Sequence, residues 1–517
     1  MNETPPPIVL EIVKLIRENK LGGNEGVILK AINDDESNIE FVFKLGISCA
    51  QHNRLSEALL IFNCLQSCVK DDVRISYNLG LVHSLQGNHQ GALEAYALAL
   101  QIKPDDVETL VNKGSTCNDV KNYALALEVL EKAIGIRPDL PEAWSNKGIA
   151  LNNLNFHHES VTAFDEAIKL NPSYFEAWSN KSVPLNKLKR YAEASEACDK
   201  ALGLNPDYAE AWSNKGAALN QLKRYEEAIA HYDKALSLKP DYAEAWSNKG
   251  NSLHELKRYE EAIAHHDKAL SLKPDYAEAW FNKGNALHEL KRYEEALAYF
   301  DKALSLKPDH AEGWSNKGNA LHEIKRHEEA IAHYDKALSL QPEYAEGWSN
   351  KGAALNELNR YEEAIAYYDK ALSLKPDYAE AWSNKGVALN ELKRYEAAIF
   401  HYDRALGLKA DIDWAYGDFL HTKMKICSWS NFQEEVKNLS EKVLSQQKIT
   451  RPFQLLSLTD DAFLHKQCSE IYAQAKYPIN LVLGPIPKSV KKEKIRIGYF
   501  SPDFRNHAVS FFDGGTI

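Results

Sequence analysis

Residues 209–242 read AEAWSNKGAALNQLKRYEEAIAHYDKALSLKPDY, and residues 243–276 repeat that stretch with 29 of 34 positions identical. The same spacing extends over most of the chain, because a tryptophan recurs every 34 residues. These tryptophans are Trp144, Trp178, Trp212, Trp246, Trp280, Trp314, Trp348 and Trp382. A period of this length is typical of arrays in which each repeat is one small unit that stacks on the next.

Within each period, the small and apolar residues follow the spacing of two helices. The first helix carries a Trp, a Gly and a Leu on one face. The second helix carries an Ala, an aromatic residue and another Ala on one face, and a Pro follows it. In residues 209–242 these are Trp212, Gly216, Leu219, Ala228, Tyr232, Ala235 and Pro240. We expect the glycine to let the two helices approach closely and the proline to end the pair. Neither helix can bury its apolar face alone, so each repeat depends on its neighbours.

This pattern resembles the tetratricopeptide repeat family, which has the same residue types at the same offsets. The departures are Lys215, where that family usually has Leu, and Leu219, where it usually has Tyr. The glycine column predicts eleven repeats when Ser182 is counted in its slot. We therefore predict an all-α fold, a right-handed α-solenoid of about eleven repeats occupying residues 38–410. Residues 1–37 are expected to form an N-terminal capping helix region.

One repeat is irregular, because Ser182 takes the glycine slot and Pro184 lies inside the first helix, where proline costs about 3 kcal/mol. The sequence leaves open a kink or hinge near residue 184 and a local bend that the stack absorbs. In another repeat His266 takes the place of the aromatic core residue, and a neutral packed imidazole is expected there.

Asparagine stands two residues after the tryptophan position in ten successive repeats, where a helix points away from its buried face. The ten residues are Asn78, Asn112, Asn146, Asn180, Asn214, Asn248, Asn282, Asn316, Asn350 and Asn384. Glutamates such as Glu210 and Glu255 flank them. First helices of such solenoids line the concave groove, and an amide offers both donor and acceptor, so the column predicts binding of an extended peptide backbone. The alternative is that recent duplication copied a solvated Asn.

Composition narrows the other classes of function. The net charge of -11 comes from 62 basic and 73 acidic residues that are interspersed, so nucleic acid is not an expected partner. Glu11 and Lys14 interrupt the apolar run from Ile8 to Ile16, which is therefore not a membrane span. Seven cysteines without a CxxC pair favour a reducing, cytoplasmic location. The periodic histidines fall in no metal-binding motif, so neither a metal nor a cofactor is predicted.

A different composition begins after the array. Residues 411–484 are predicted to be a helical linker, with one helix over 431–447 capped by Ser430 and another over about 460–476. The alternating stretch KIRIGYFS at 494–501 predicts a β-strand.

That stretch and its continuation SPDFRNH at 501–507 resemble the start of the catalytic region of the SPINDLY/O-GlcNAc transferase family. The resemblance implies that His507 matches an active-site histidine of that family. It also implies that residues 485–517 are the truncated start of a glycosyltransferase-like domain. The chain stops ten residues after His507, so we expect it to be catalytically inactive by itself.

Three hypotheses on function follow. The first is a protein-protein interaction module, the substrate-recruiting part of an O-GlcNAc transferase-like protein, whose partners are proteins or extended peptides. The second is a protein O-glycosyltransferase that uses a UDP-sugar, with its catalytic lobes supplied elsewhere. The third is a plain scaffold.

Overall fold

The computed structural model describes residues 6–476, and the regular secondary structure within them is helical, as predicted. The predicted strand at 494–501, the predicted domain start at 485–517 and His507 lie outside the described residues. The chain divides into two compact units, Met1–Glu343 and Tyr344–Ile517. None of the described helices is long and apolar enough to cross a membrane.

The first unit begins with two helices, α1 Pro7–Arg17 and α2 Glu25–Asp34, followed by nine helix pairs. The pairs are α3 Ser37–Gln51 and α4 Leu55–Cys68, α5 Val73–Leu85 and α6 His89–Ile102, α7 Val107–Asp119 and α8 Tyr123–Ile136, α9 Pro141–Asn153 and α10 His157–Leu170, α11 Phe175–Lys187 and α12 Tyr191–Leu204, α13 Ala209–Gln221 and α14 Tyr225–Leu238, α15 Ala243–Glu255 and α16 Tyr259–Leu272, α17 Ala277–Glu289 and α18 Tyr293–Leu306, α19 Ala311–Glu323 and α20 His327–Leu340. Val9, Ile12 and Ile16 of α1 belong to the same apolar core as Phe62 of the first pair. Helix α1 therefore caps the array through one apolar face.

In most repeats the glycine of the first helix touches an aromatic ring of the second helix. A Cβ atom built on Gly216 would lie 2.7 Å from Cε1 of Tyr232, and Tyr232 is 1% exposed. The equivalent contacts join Gly148 to Phe164 and Gly284 to Phe300. A side chain at the glycine position would overlap a ring that cannot move into solvent without losing its burial.

In the repeat at 175–208, both the glycine and the aromatic residue of this contact are replaced. Ser182 faces Cys198, which takes the place of the aromatic ring, and both residues are fully buried. Helix α11 is continuous from Phe175 to Lys187 although Pro184 has no N–H group to donate to Asn180. This continuity favours the absorbed bend over the hinge.

His266 occupies the ring position opposite Gly250 and is fully buried, as predicted. Its Nδ1 atom lies 3.4 Å from Ser247 Oγ. Burial lowers the pKa of His266 to about 3, so the imidazole stays neutral near pH 7.

The tryptophan and proline positions join consecutive repeats. Trp212 Nε1 donates to the carbonyl oxygen of Pro206 at 2.8 Å, and Trp246 Nε1 to that of Pro240 at 2.9 Å. The unusual lysine next to the packing glycine makes a second link, since Lys249 Nζ lies 2.6 Å from Asp233 of the preceding repeat. The Lys side chain is 14% exposed and the Asp side chain 54% exposed, so this pair is partly screened by water.

The second unit continues with the pairs α21 Ala345–Glu357 and α22 Tyr361–Leu374, and α23 Ala379–Glu391 and α24 Tyr395–Leu408. Together with the nine earlier pairs, they make eleven helix pairs in the described residues, as predicted. Four further helices follow, α25 Ala415–Lys425, α26 Phe432–Leu444, α27 Pro452–Leu458 and α28 Ala462–Lys476.

The predicted cap at Ser430 is wrong. The residue before α26 is Asn431, which adopts a left-handed conformation with φ 58° and makes no side-chain capping hydrogen bond. Helices α25 and α27 contain the polar core of this region. Asp418 is 9% exposed there and accepts a hydrogen bond from Gln454 Nε2 at 3.0 Å.

Candidate functional site

The ten predicted asparagines, which we call the amide column, all lie on first helices of the repeats and all are half-buried. Those from Asn78 to Asn316 lie in the first unit, whereas Asn350 and Asn384 lie in the second. Half-burial leaves part of each side-chain amide accessible.

Some members of the column already bond within the protein. Asn112 Nδ2 donates to Tyr77 Oη at 3.0 Å, and Asn214 Nδ2 donates to Ser179 Oγ at 3.2 Å. Asn316 Nδ2 donates to Asn285 Oδ1 at 3.0 Å. These amides connect one repeat to the one before it, so they contribute to the stack.

Other members have their hydrogen-bonding groups open. Within residues 6–476, no hydrogen bond is made by the side-chain amides of Asn146, Asn180, Asn248, Asn282 and Asn384. The side chains of Asn118, Ser252 and Asn356 bond to the backbone oxygens of Asn146, Asn248 and Asn384 and not to their amides. The five side-chain amides can each donate and accept for a ligand. The column therefore contains two kinds of asparagine, which the repeated sequence alone does not distinguish.

Two depressions of about 260 Å³ each lie along the column in the first unit. One is lined by Asn220, Asn251, His254, Glu255, Asn282 and Asn285, and the other by His254, Asn285, His288, Glu289, Asn316 and Asn319. Each contains one member of the column, Asn282 or Asn316, and residues three, six or seven positions beyond a column asparagine on the same and neighbouring first helices. The predicted asparagines are thus part of a wider polar surface, which we call the amide groove.

The second asparagine of this surface, Asn251, Asn285 or Asn319, is not among the site residues predicted from the sequence. The motif Gly-Asn-x-Leu-His-Glu occurs at 250–255, 284–289 and 318–323, whereas the repeats at 209–242 and 345–378 have Gly-Ala-Ala-Leu-Asn. Ala217 and Asn220 change together to Asn and His in the next three repeats. This joint change is the signal from which the second asparagine could have been predicted. The same three repeats line both depressions, together with Asn220 of the repeat at 209–242.

Two histidines of the motif, His254 and His288, line the depressions and are half-buried. The Nε2 atoms of His254 and His288 are buried without a hydrogen-bond partner. Burial lowers the pKa of His288, which keeps that ring neutral near pH 7. Within residues 6–476, no group of three or more His, Cys, Asp or Glu side chains could hold a metal ion.

The histidines on second helices have a different role. The His231 ring lies 5.4 Å from the Trp212 ring, and the His265 ring stacks on the Trp246 ring at 5.3 Å. Tyr299 stacks in the same way on Trp280 at 5.7 Å. Either ring type serves this packing, which explains the recurrence of the histidines as structural.

Two rows of glutamates flank the groove, with different electrostatic surroundings. Glu210 and Glu244 each lie 2.8 Å from a lysine of the same repeat, Lys239 and Lys273. Glu255 is 54% exposed and receives a long hydrogen bond of 3.4 Å from Tyr225 Oη. The first row is largely neutralised by lysine, whereas the second adds negative charge to the groove.

The stacked helix pairs define a helical-repeat protein. Family models described as "Tetratricopeptide repeat" match residues 65–107, 107–140, 145–209, 209–242, 241–309, 275–343, 345–378 and 379–411. The chain belongs to the tetratricopeptide repeat family.

Two other comparisons were made. None of the curated proteins matches the chain. Among solved structures, the chain is similar to one described as "Crystal structure of YrrB: a TPR protein with an unusual peptide-binding site". The two are 28% identical over 36% of this chain and 96% of that chain, with a TM-score of 0.32.

Proposed function

We propose that the protein is a protein-protein interaction module whose amide groove holds an extended polypeptide. The observation that carries the proposal is the set of half-buried asparagines with open amide groups in the first unit, one of which, Asn282, lines a polar depression. A peptide backbone presents one donor and one acceptor per residue, which amides at regular spacing can match without reading its side chains. Binding through this surface would be tolerant of sequence.

We further propose that the bound polypeptide is a substrate recruited for a SPINDLY/O-GlcNAc transferase-like activity in the cytoplasm. This part rests on the resemblance of residues 494–507, which lie outside the described residues, with His507 as the matching active-site histidine. The location rests on seven free cysteines, and burial raises the pKa of four of them, Cys49, Cys64, Cys198 and Cys468, to about 11 or 12. Such thiols suit a reducing compartment.

The test is a variant that removes open amides only. Asn146→Ala, Asn180→Ala and Asn248→Ala together are expected to weaken binding of a fluorescein-labelled Ser/Ala peptide long enough to span four repeats. Each lost amide removes a net hydrogen-bond contribution of about 0.5–1.5 kcal/mol, so the dissociation constant should rise on the order of tenfold or more. Fluorescence anisotropy measures the affinity.

The matched control is Ser237→Ala, Ser271→Ala and Ser305→Ala, which changes three exposed residues at the same period on second helices. Each of these hydroxyls donates to a carbonyl of its own helix at 2.7 Å. Circular dichroism should show that both triple variants keep their helix content. Unchanged peptide affinity in the asparagine variant, or equal loss in the serine variant, would remove the groove as the binding site.

A further inference from the structure

The repeat at 277–310 differs from its neighbours at two positions that meet in space. In two preceding repeats a serine hydroxyl lies near a tyrosine hydroxyl, Ser213 near Tyr242 and Ser247 near Tyr276. Burial raises the pKa of both tyrosines overall, whereas the serine hydroxyls act to lower it. Here the two residues are Phe281 and His310. Their rings meet edge to face with centroids 4.8 Å apart, and His310 Nδ1 accepts the N–H of Gly313 at 3.0 Å. The two rings therefore replace the serine and tyrosine as a packed pair.

A cleft of about 280 Å³ opens beside this pair, and we call it the Phe281 cleft. Phe281, Ala303 and Leu304 supply its apolar lining. Asn282 and Asn285 form the side that faces the amide groove, since both also line the depressions described above. A side chain that branches from a peptide in the groove can therefore enter the cleft.

The mouth of the cleft carries one uncompensated negative charge. Glu278 lies 3.6 Å from Lys307 of its own repeat. Glu210, Glu244 and Glu380 pair in the same way with Lys239, Lys273 and Lys409. Glu312 also lines the cleft and is exposed, but the position of its lysine is taken by Gln341. Among the residues that the structure describes, Glu312 has no ion-pair partner. A ligand in the cleft can supply the missing positive charge.

We propose that the Phe281 cleft binds an arginine side chain of the polypeptide held in the amide groove. The aliphatic stem of arginine packs on Phe281 and Leu304, and its guanidinium group bonds to the Glu312 carboxylate and the open amide oxygen of Asn282. The proposal rests on the proposed function and adds selectivity to it. The amides hold any extended backbone, whereas the cleft fixes which residue of the ligand lies at this repeat.

The experiment measures single-residue preference in a common host. Labelled Ser/Ala peptides carry one central guest, which is arginine, citrulline, lysine, leucine or alanine, and anisotropy gives each affinity for the full chain. Citrulline has the shape of arginine without its charge. Arginine is expected to bind about tenfold tighter than citrulline and leucine, and lysine to fall between them because it lacks the planar fork.

Two variants separate the parts of the site. The double variant Phe281→Ser/His310→Tyr restores the residue pair of the neighbouring repeats and should abolish the preference for arginine while the affinity for the alanine peptide stays unchanged. Gln341→Lys supplies the missing partner of Glu312 and should abolish the same preference with the apolar lining intact. Circular dichroism checks that both variants fold.

A transplant provides the control for charge. Ser247→Phe/Tyr276→His copies the ring pair into the repeat at 243–276. At this second position the glutamate that corresponds to Glu312 is Glu278, which already has Lys307 as its partner. This variant should gain no additional preference for arginine. A gain equal to that of the native cleft would show that the rings alone select the guest and would overturn the role of Glu312.

The outcomes distinguish this inference from the proposed function. Failure of every peptide to bind would contradict the proposed function. Binding of all peptides with equal affinity for arginine and citrulline would overturn the cleft proposal and leave the groove in place. A preference for arginine that survives in Phe281→Ser/His310→Tyr would place the arginine site elsewhere.

Discussion

Replacing Gly216 by serine tests whether the glycine column exists because of the ring that faces it. A Cβ atom at residue 216 would lie 2.7, 2.9 and 3.0 Å from three carbon atoms of Tyr232, where contacts between carbon atoms are favourable near 3.5–4.0 Å. The helices or the ring must move by several tenths of an ångström. Overpacking of this kind costs about 1–3 kcal/mol, and we expect Gly216→Ser to destabilise its repeat by that amount.

The repeat at 175–208 supplies the compensating change. Ser182 is accommodated there because Cys198 stands where the other repeats have a larger side chain. In a Tyr232→Cys background the clash is absent, and serine is a better helix former than glycine by about 0.5 kcal/mol. Gly216→Ser should therefore be neutral or slightly stabilising in that background. The double-mutant cycle should show a coupling of about 1–3 kcal/mol.

Urea unfolding followed by circular dichroism gives the free energies of the four proteins. Because an array of repeats can lose one unit at a time, hydrogen–deuterium exchange should locate the effect. Peptides from Ala209–Gln221 and Tyr225–Leu238 should exchange faster in Gly216→Ser, while those from Tyr361–Leu374 serve as an internal reference. An equal cost of Gly216→Ser with Tyr232 and with Cys at position 232 would refute the reasoning.

Two predictions concern pH and have opposite signs. His266 has a folded pKa of about 3, below its usual value of 6.5, so the native state does not take up the proton that the unfolded chain binds. The stability that the neutral His266 contributes is lost as pH falls below about 6.5, and the free energy of unfolding falls by about 1.4 kcal/mol per pH unit. His266→Tyr should remove this pH dependence, as measured by urea unfolding between about pH 4 and pH 7. Burial raises the pKa of Asp418 to about 6 from 3.8. The stability that the neutral Asp418 contributes is present below about pH 4 and is lost as pH rises through about 6, by up to about 3 kcal/mol. The free energy of unfolding of the wild-type protein should fall by this amount over that range, whereas that of Asp418→Asn should not. For either residue, equal pH profiles of the variant and the wild type would contradict the prediction.

The sequence by itself determined the architecture, because each part of it depends on near neighbours in the chain. The 34-residue period, the two apolar faces and the proline predict the helix pairs, and the part of the chain that the structure describes contains eleven of them. The neutral buried His266 was also predictable, since its position in the repeat is that of a core ring. The start of the helix after Ser430 was not predictable in this way, because Asn431, in a left-handed conformation, is the residue that precedes the helix.

Only the tertiary structure decided which side chains meet across helices and across repeats. Pairs such as Ser182 with Cys198, Lys249 with Asp233, or Phe281 with His310 are separated by 16 to 29 residues, and no local pattern shows that their members touch. The same holds for the asparagines, which look alike in sequence but divide into amides that bond within the stack and amides that remain open. Repetition specifies the path of the backbone, whereas packing between neighbouring repeats determines where a cleft or an unpaired charge arises.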